Sequence, residues 1–154
     1  RSGKKLRVKF GVDPTAADLH LGHAVVLRKL HQLQELGHKI VIIIGDYTAR
    51  IGDPSGKSKT RPVLSEKEIE ANAETYLSQV SKFIDVSAAE IHHNSEWFDK
   101  EQGWALAISG GFSVQRLLER DDFTKRLKEG VEITVREILY PTMQAYDSVK
   151  IKGA

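Results

Sequence analysis

Apolar residues recur along this chain in two rhythms. Val8 to Val12 (V-K-F-G-V) alternates apolar and polar side chains in a β-rich run, which predicts a strand. From His20 to Leu36 the apolar positions return at helical spacing, with Val26, Leu30 and Leu33 on one track and Val25 and Leu36 on another. Gly37 then closes the segment in the position just beyond a helix cap. Ile40 to Ile44 is short, wholly apolar and β-branched, the mark of a strand buried on both faces. Strand, helix and buried strand in succession predict a βαβ unit, with parallel strands and a right-handed crossover.

Gly45 to Pro62 breaks the rhythm. It is rich in Gly, Asp, Pro, Ser and Lys, and so long an aperiodic stretch is in general either functional or disordered. Ser65 opens S-E-K-E, a capping box with Glu68 at its third helical position, and predicts a helix to about Phe83. Ile91 to His93 reads as a short third strand. Helical patterns follow over residues 102–109, 113–119, 121–129 and 134–149, separated by Gly110-Gly111 and Gly130. Pro141 lies inside the last of these and removes one backbone hydrogen bond, so a kink is expected there. The sequence predicts an α/β fold in one domain, 1–154. A parallel half-sheet occupies about 1–95, and a helical extension about 100–154. Two or three strands are few for a doubly wound domain, so the chain reads as a first half.

Composition narrows the chemistry. The 154 residues include no cysteine, which excludes a thiol nucleophile, a disulfide scaffold, an iron–sulfur centre and a cysteine zinc site. A balance of 23 basic and 21 acidic residues, net +2, is too mild to announce a nucleic-acid protein by itself. No run is long enough for a membrane span and no export signal opens the chain, so a cytoplasmic location is expected. Arg1, Lys4, Lys5, Arg7 and Lys9 crowd the start as a solvated terminus would. Lys57, Lys59 and Arg61 follow a Gly/Pro/Ser segment, where basic side chains often face phosphate.

Three short motifs carry candidate chemistry. H-L-G-H (His20 to His23) stands where a strand turns into a helix, and imidazoles at i and i+3 there can address one ligand. The free N–H groups and dipole of a helix start favour an anion such as phosphate. A cap plus a surface residue explains the same pair equally well, and no third ligand at metal spacing follows. I-G-D-P-S-G-K (Ile51 to Lys57) lies beyond the buried strand, where open α/β sheets bind ligands. Asp53 there could fix an ammonium group, and Lys57 and Arg61 could reach a polyphosphate. D-P-S-G is also ordinary turn chemistry. A phosphate-binding G-x-x-x-x-G-K-[ST] loop is excluded, because its first glycine would have to stand at Ile51. Y-P-T-M-Q-A-Y-D places Tyr140, Gln144 and Asp147 at i, i+4 and i+7 on one helix face. A polar stripe is usually the wet side of a helix. This one mixes Tyr and Gln with a single acid instead of the usual Lys/Glu pairs.

In this order the motifs resemble the tyrosyl-tRNA synthetases, class I aminoacyl-tRNA synthetases with a Rossmann catalytic domain. The match runs through G-V-D-P-T-A-A-D-L-H-L-G-H (Gly11 to His23), I-G-D-P-S-G-K-S-K-T-R-P (Ile51 to Pro62), N-S-E-W (Asn94 to Trp97) and Y-P-T-M-Q-A-Y-D-S-V (Tyr140 to Val149). It covers almost the whole chain. Tryptophanyl enzymes share only the His-x-Gly-His element.

The resemblance implies ATP-dependent activation of tyrosine for transfer to tRNA(Tyr), with Mg²⁺ accompanying ATP and no metal held by the protein itself. It implies that His20 and His23 stabilise the ATP phosphates, with Gly22 between them. Thr15 then contacts the γ-phosphate, and Gly11 and Asp13 line the nucleotide side. Asp53, Tyr140 and Gln144 would hold the tyrosine ammonium, and Asp147 would accept the phenolic hydrogen bond. Lys57 and Arg61 would embrace pyrophosphate. The stretch from Phe112 to Arg136 corresponds to the family's dimer-forming region, implying a homodimer.

Two positions depart from the family pattern. Lys9 stands where many members carry a second phenol-binding tyrosine. Ala49 stands where a loop glycine is common, which would restrict φ in a turn. Members also continue with D-V-x-x-G-G-x-D-Q, a second half-sheet, a Lys-x-x-Lys-Ser loop and an anticodon-binding domain, so the chain corresponds to the amino-terminal part. Adenine, ribose and most tRNA contacts would then lie outside it. A weakly active folding or dimerisation module of the same family is the alternative. A small His-x-Gly-His nucleotidyltransferase is a more distant one, which G-D-P-S-G and Q-A-Y-D argue against.

Overall fold

A computed structural model describes residues 3–52 and 64–153. Strands β1 (Arg7–Val12), β2 (Lys39–Ile44) and β3 (Glu90–His93) form one parallel sheet in that spatial order. Helix α1 (Leu21–Glu35) links the first two strands, and β1 and β2 pair from Arg7 opposite Lys39 to Val12 opposite Ile44. This is the βαβ unit that the hydrophobic pattern predicts.

The central strand explains the layering. Ile40 to Ile44 are all fully buried, and because strand side chains alternate, the run serves two cores at once. Ile40, Ile42 and Ile44 pack with Leu27 and Leu30 of α1 and with Ala73 and Val80 of α3 (Glu66–Val80). Val41 and Ile43 face the other way, towards Trp97, Phe98, Ile108, Met143 and Ile151. The second layer is built by α4 (Ser95–Phe98), α5 (Trp104–Ser109) and α8 (Val135–Lys150). Helices α6 (Val114–Leu118) and α7 (Asp121–Lys128) precede α8, and Phe123 of α7 is fully buried.

Local chemistry sets the helix ends, at α3 as expected and at α8 by a capping box the sequence reading did not name. Ser65 and Glu68 form both bonds of the capping box on α3. Thr134 and Glu137 form the equivalent box on α8, and Arg126 reaches Glu137 at 2.6 Å. Helix α8 runs through Pro141 to Lys150. Its far end is tied to α5's leader by Glu101, which accepts from Tyr146 Oη at 2.6 Å and pairs with Lys150.

Two one-turn helices differ from the sequence reading. The aperiodic stretch after β2 begins with α2 (Asp46–Ala49), and α4 follows β3. Four residues make barely one turn, too little for a periodic pattern to register. The expected penalty at Ala49 does not arise: it sits inside α2, buried, and Lys152 is the one non-glycine residue with positive φ among those described.

Candidate functional site

The parallel strands all end at one side, where an open cleft of about 580 Å³ lies between the segment after β1, the start of α1, α2 and the polar face of α8. That position beyond the carboxyl ends is where α/β sheets gather ligands.

Asp13 sits at the centre of a hydrogen-bond chain. Thr48 Oγ1 donates to Asp13 Oδ1 at 2.8 Å, and Tyr140 Oη donates to Asp13 Oδ2 at 2.7 Å. Asn94 Nδ2 in turn donates to Thr48 Oγ1 at 2.9 Å, while Asn94 Oδ1 accepts from the Tyr47 amide at 2.9 Å. This chain joins β1, α2, α4 and α8. Gly45 permits it: a Cβ there would collide with Asp13 Oδ1 and Thr48 Oγ1. Helix α3 holds the rest of the segment, with Asn72 Nδ2 donating to the Pro14 carbonyl at 3.0 Å and Gln79 Nε2 to the Ala17 carbonyl at 2.9 Å.

His20 and His23 cap α1 reciprocally. His20 Nδ1 accepts from the Gly22 amide at 3.1 Å, and His23 Nδ1 accepts from the His20 amide at 3.2 Å. An accepting Nδ1 carries no proton, so each ring is assigned as the Nε2–H tautomer. The rings lie 4.0 Å apart. Burial first, and then the neighbouring His20, lower the His23 pKa below the usual histidine range. His23 is therefore a neutral N–H donor at pH 7. Gly22 lies under the His20 ring, where an added Cβ would come within 2.9 Å of Cε1. Cap and ligand pair are alternatives in the sequence; in this geometry one end of each ring caps and the other remains a donor.

Asp147 lines the cleft and is buried, 5% exposed. Trp97 Nε1 donates to its Oδ1 at 3.0 Å. Desolvation pushes its carboxyl up to about 6, opposed by the Lys9 charge and by hydrogen bonds from Trp97 and Asn94, and helped by the Asp13 charge. An acid so placed is a strong acceptor for a hydroxyl, since little water competes.

Of the residues singled out by sequence, Gly11, Asp13, Thr15, His20, His23, Tyr140, Gln144 and Asp147 line this cleft together. Gly22 supports the His20 ring rather than lining it. Asp53, Lys57 and Arg61 lie outside the described residues. Sequence reasoning missed Thr48, Asn94 and Trp97 as structural partners of the site. The N-S-E-W motif was the one available signal for the last two.

A family model described as class I tRNA synthetases for tryptophan and tyrosine matches residues 1–153. The chain belongs to this family. Within it, the tyrosine–tRNA ligase of Ralstonia nicotianae is 53% identical over 153 residues, covering 99% of this chain and 39% of the relative. That of Thermotoga maritima is 55% identical over 150 residues, covering 97% and 37%. The chain thus spans well under half the length of these family members. A C-terminally truncated mitochondrial tyrosyl-tRNA synthetase of Aspergillus nidulans superposes with a TM-score of 0.80 at 24% identity, over 96% of this chain and 46% of that one, and shares the fold. The three-stranded parallel sheet with its helices is thus the α/β fold of a class I synthetase family member.

Proposed function

We propose that the chain forms the tyrosine-activating part of a tyrosine–tRNA ligase. It would take tyrosine and ATP with Mg²⁺, and serve tRNA(Tyr) in the cytoplasm. The observation that carries this is that the Tyr140–Gln144–Asp147 face lines one cleft with His20 and His23. Asp147 receives the phenolic hydroxyl, while Tyr140 and Gln144, with Asp53, hold the ammonium. The tyrosine carboxylate then attacks the α-phosphorus of ATP in line. One carboxylate–phosphorus bond forms, the bond to pyrophosphate breaks, and pyrophosphate leaves. His20 and His23 donate to the phosphate oxygens, Thr15 meets the γ-phosphate, and Gly11 and Asp13 line the nucleotide side. Lys57 and Arg61 neutralise the departing pyrophosphate. No side-chain nucleophile is needed, so catalysis is positioning plus charge stabilisation.

Tyrosine-dependent exchange of labelled pyrophosphate into ATP tests this reading. The expected result is exchange well above that of a variant carrying Asp53→Ala and His23→Ala. A rate equal to that variant's would reduce the chain to a folding or dimerisation module.

We further propose a homodimer through the α6–α7 region, where Phe112, Val114 and Leu127 expose apolar surface.

A further inference from the structure

Lys9 is a cation lining the cleft to which the proposed function gives no role. It lies on β1, lines the cleft and is partly buried. Its Nζ donates to the Gln144 carbonyl at 2.7 Å and to Ser148 Oγ at 3.0 Å, so two of three ammonium hydrogens are spent on α8. Those two acceptors flank Asp147 in sequence, on the turn that presents it. The charge of Asp147, between those two acceptors in sequence, favours the Lys9 ammonium.

We propose that Lys9 is a positioning residue of the amino-acid site: its ammonium clamps α8 onto β1 and supplies the counter-charge that keeps Asp147 a carboxylate. This rests on the tyrosine reading only for what Asp147 receives; the clamp itself is independent of any substrate. A lysine on a flexible stem is otherwise costly to bury, and burial lowers this ammonium from the usual lysine range while Asp147 opposes the change. Its place in the wall is explained by the two acceptors it bonds on α8, with the Asp147 charge adding to them. The remaining groups facing Asp147 are the indole of Trp97 and the amide of Asn94 from the α4 region, and the Asp13 charge beyond β1. Lys9 is therefore the one cation among the named neighbours, and it counters both burial and Asp13.

The test follows the Asp147 side-chain carboxyl by ¹³C NMR across pH, assigned by its loss in Asp147→Asn. The wild-type midpoint is expected near 6. Lys9→Met should move it up, because a positive charge that favours the carboxylate is removed. Lys9→Arg should restore it. Should Lys9→Met fail to fold by circular dichroism, Lys9→Gln keeps a donor for the Gln144 carbonyl without the charge and should give the same upward movement. A midpoint unchanged in the neutral variant that folds would overturn the proposal, as would failure of both neutral variants to fold while Lys9→Arg folds with a displaced midpoint. Calorimetric binding of L-tyrosine is followed in parallel, and its pH profile should move with the carboxyl. If wild-type chain ignores tyrosine while the Lys9 variants still move Asp147, the substrate reading fails and the Lys9 role stands. If tyrosine binds but Asp147 does not move, the reverse holds.

Discussion

Burial raises the Asp147 carboxyl from its ordinary value of 3.8 to about 6, and that rise has a sign for stability. The folded chain binds this proton more tightly than the unfolded one, so the cost is absent below pH 3.8 and complete above about 6. A rise of this size corresponds to about 3 kcal/mol of differential interaction between the charged and neutral forms. Asp147→Asn should therefore stabilise the chain at pH 8, by about 1–2 kcal/mol once the stranded Lys9 charge offsets part of the gain. Urea denaturation should show that gain shrinking towards pH 4.5. A stability difference that grows as pH falls would have the wrong sign. The same acid should decide selectivity. Losing a charged hydrogen bond costs about 1.5–3 kcal/mol, so Asp147→Ala should lower the preference for tyrosine over phenylalanine roughly 10–100-fold. An unchanged ratio in the pyrophosphate-exchange assay would refute its role.

The elements that sequence pattern revealed are those whose side chains repeat. β2 was legible because five consecutive apolar β-branched residues have no other stable home, and the two cores now show why both faces needed them. Ile42→Ala should cost about 2–5 kcal/mol, measured as a lower urea midpoint, because its neighbours on α1 and α3 are fixed to the same strand. The capped helices α3 and α8 were legible from S-E-K-E and from their spacing. By contrast, α2 and α4 have no periodicity to read, and their contribution comes from tertiary bonds. Asn94 is fully buried and draws its significance from Tyr47 and Thr48, more than 40 positions away. A polar residue after a short strand carries no such information by itself.

Across the whole molecule, the site depends on contacts between chain ends. Tyr140 meets Asp13 across 127 positions, and Lys9 meets Ser148 across 139. Spacing could place Tyr140, Gln144 and Asp147 on one face, but not aim that face at the strand ends; only the packing of α8 on Val41 and Ile43 does so. The resemblance supplied roles for residues 20, 23 and 140–147, yet not the bonds that hold them. The proposed dimer belongs to this scale too. Sedimentation equilibrium should show a mass of two chains that Leu127→Asp reduces to one, and a strictly monomeric wild type would contradict it.

The proposal that α8 and the two imidazoles receive one amino acid between them is tested most directly by indole NMR. The chain has two tryptophans, and the Nε1–H of Trp97 is bonded to Asp147 while Trp104 packs behind it on Phe98. Titration with L-tyrosine should displace the Trp97 indole resonance far more than that of Trp104, and phenylalanine should displace it much less. Two indole signals that stay fixed in saturating tyrosine would mean that this cleft does not receive it.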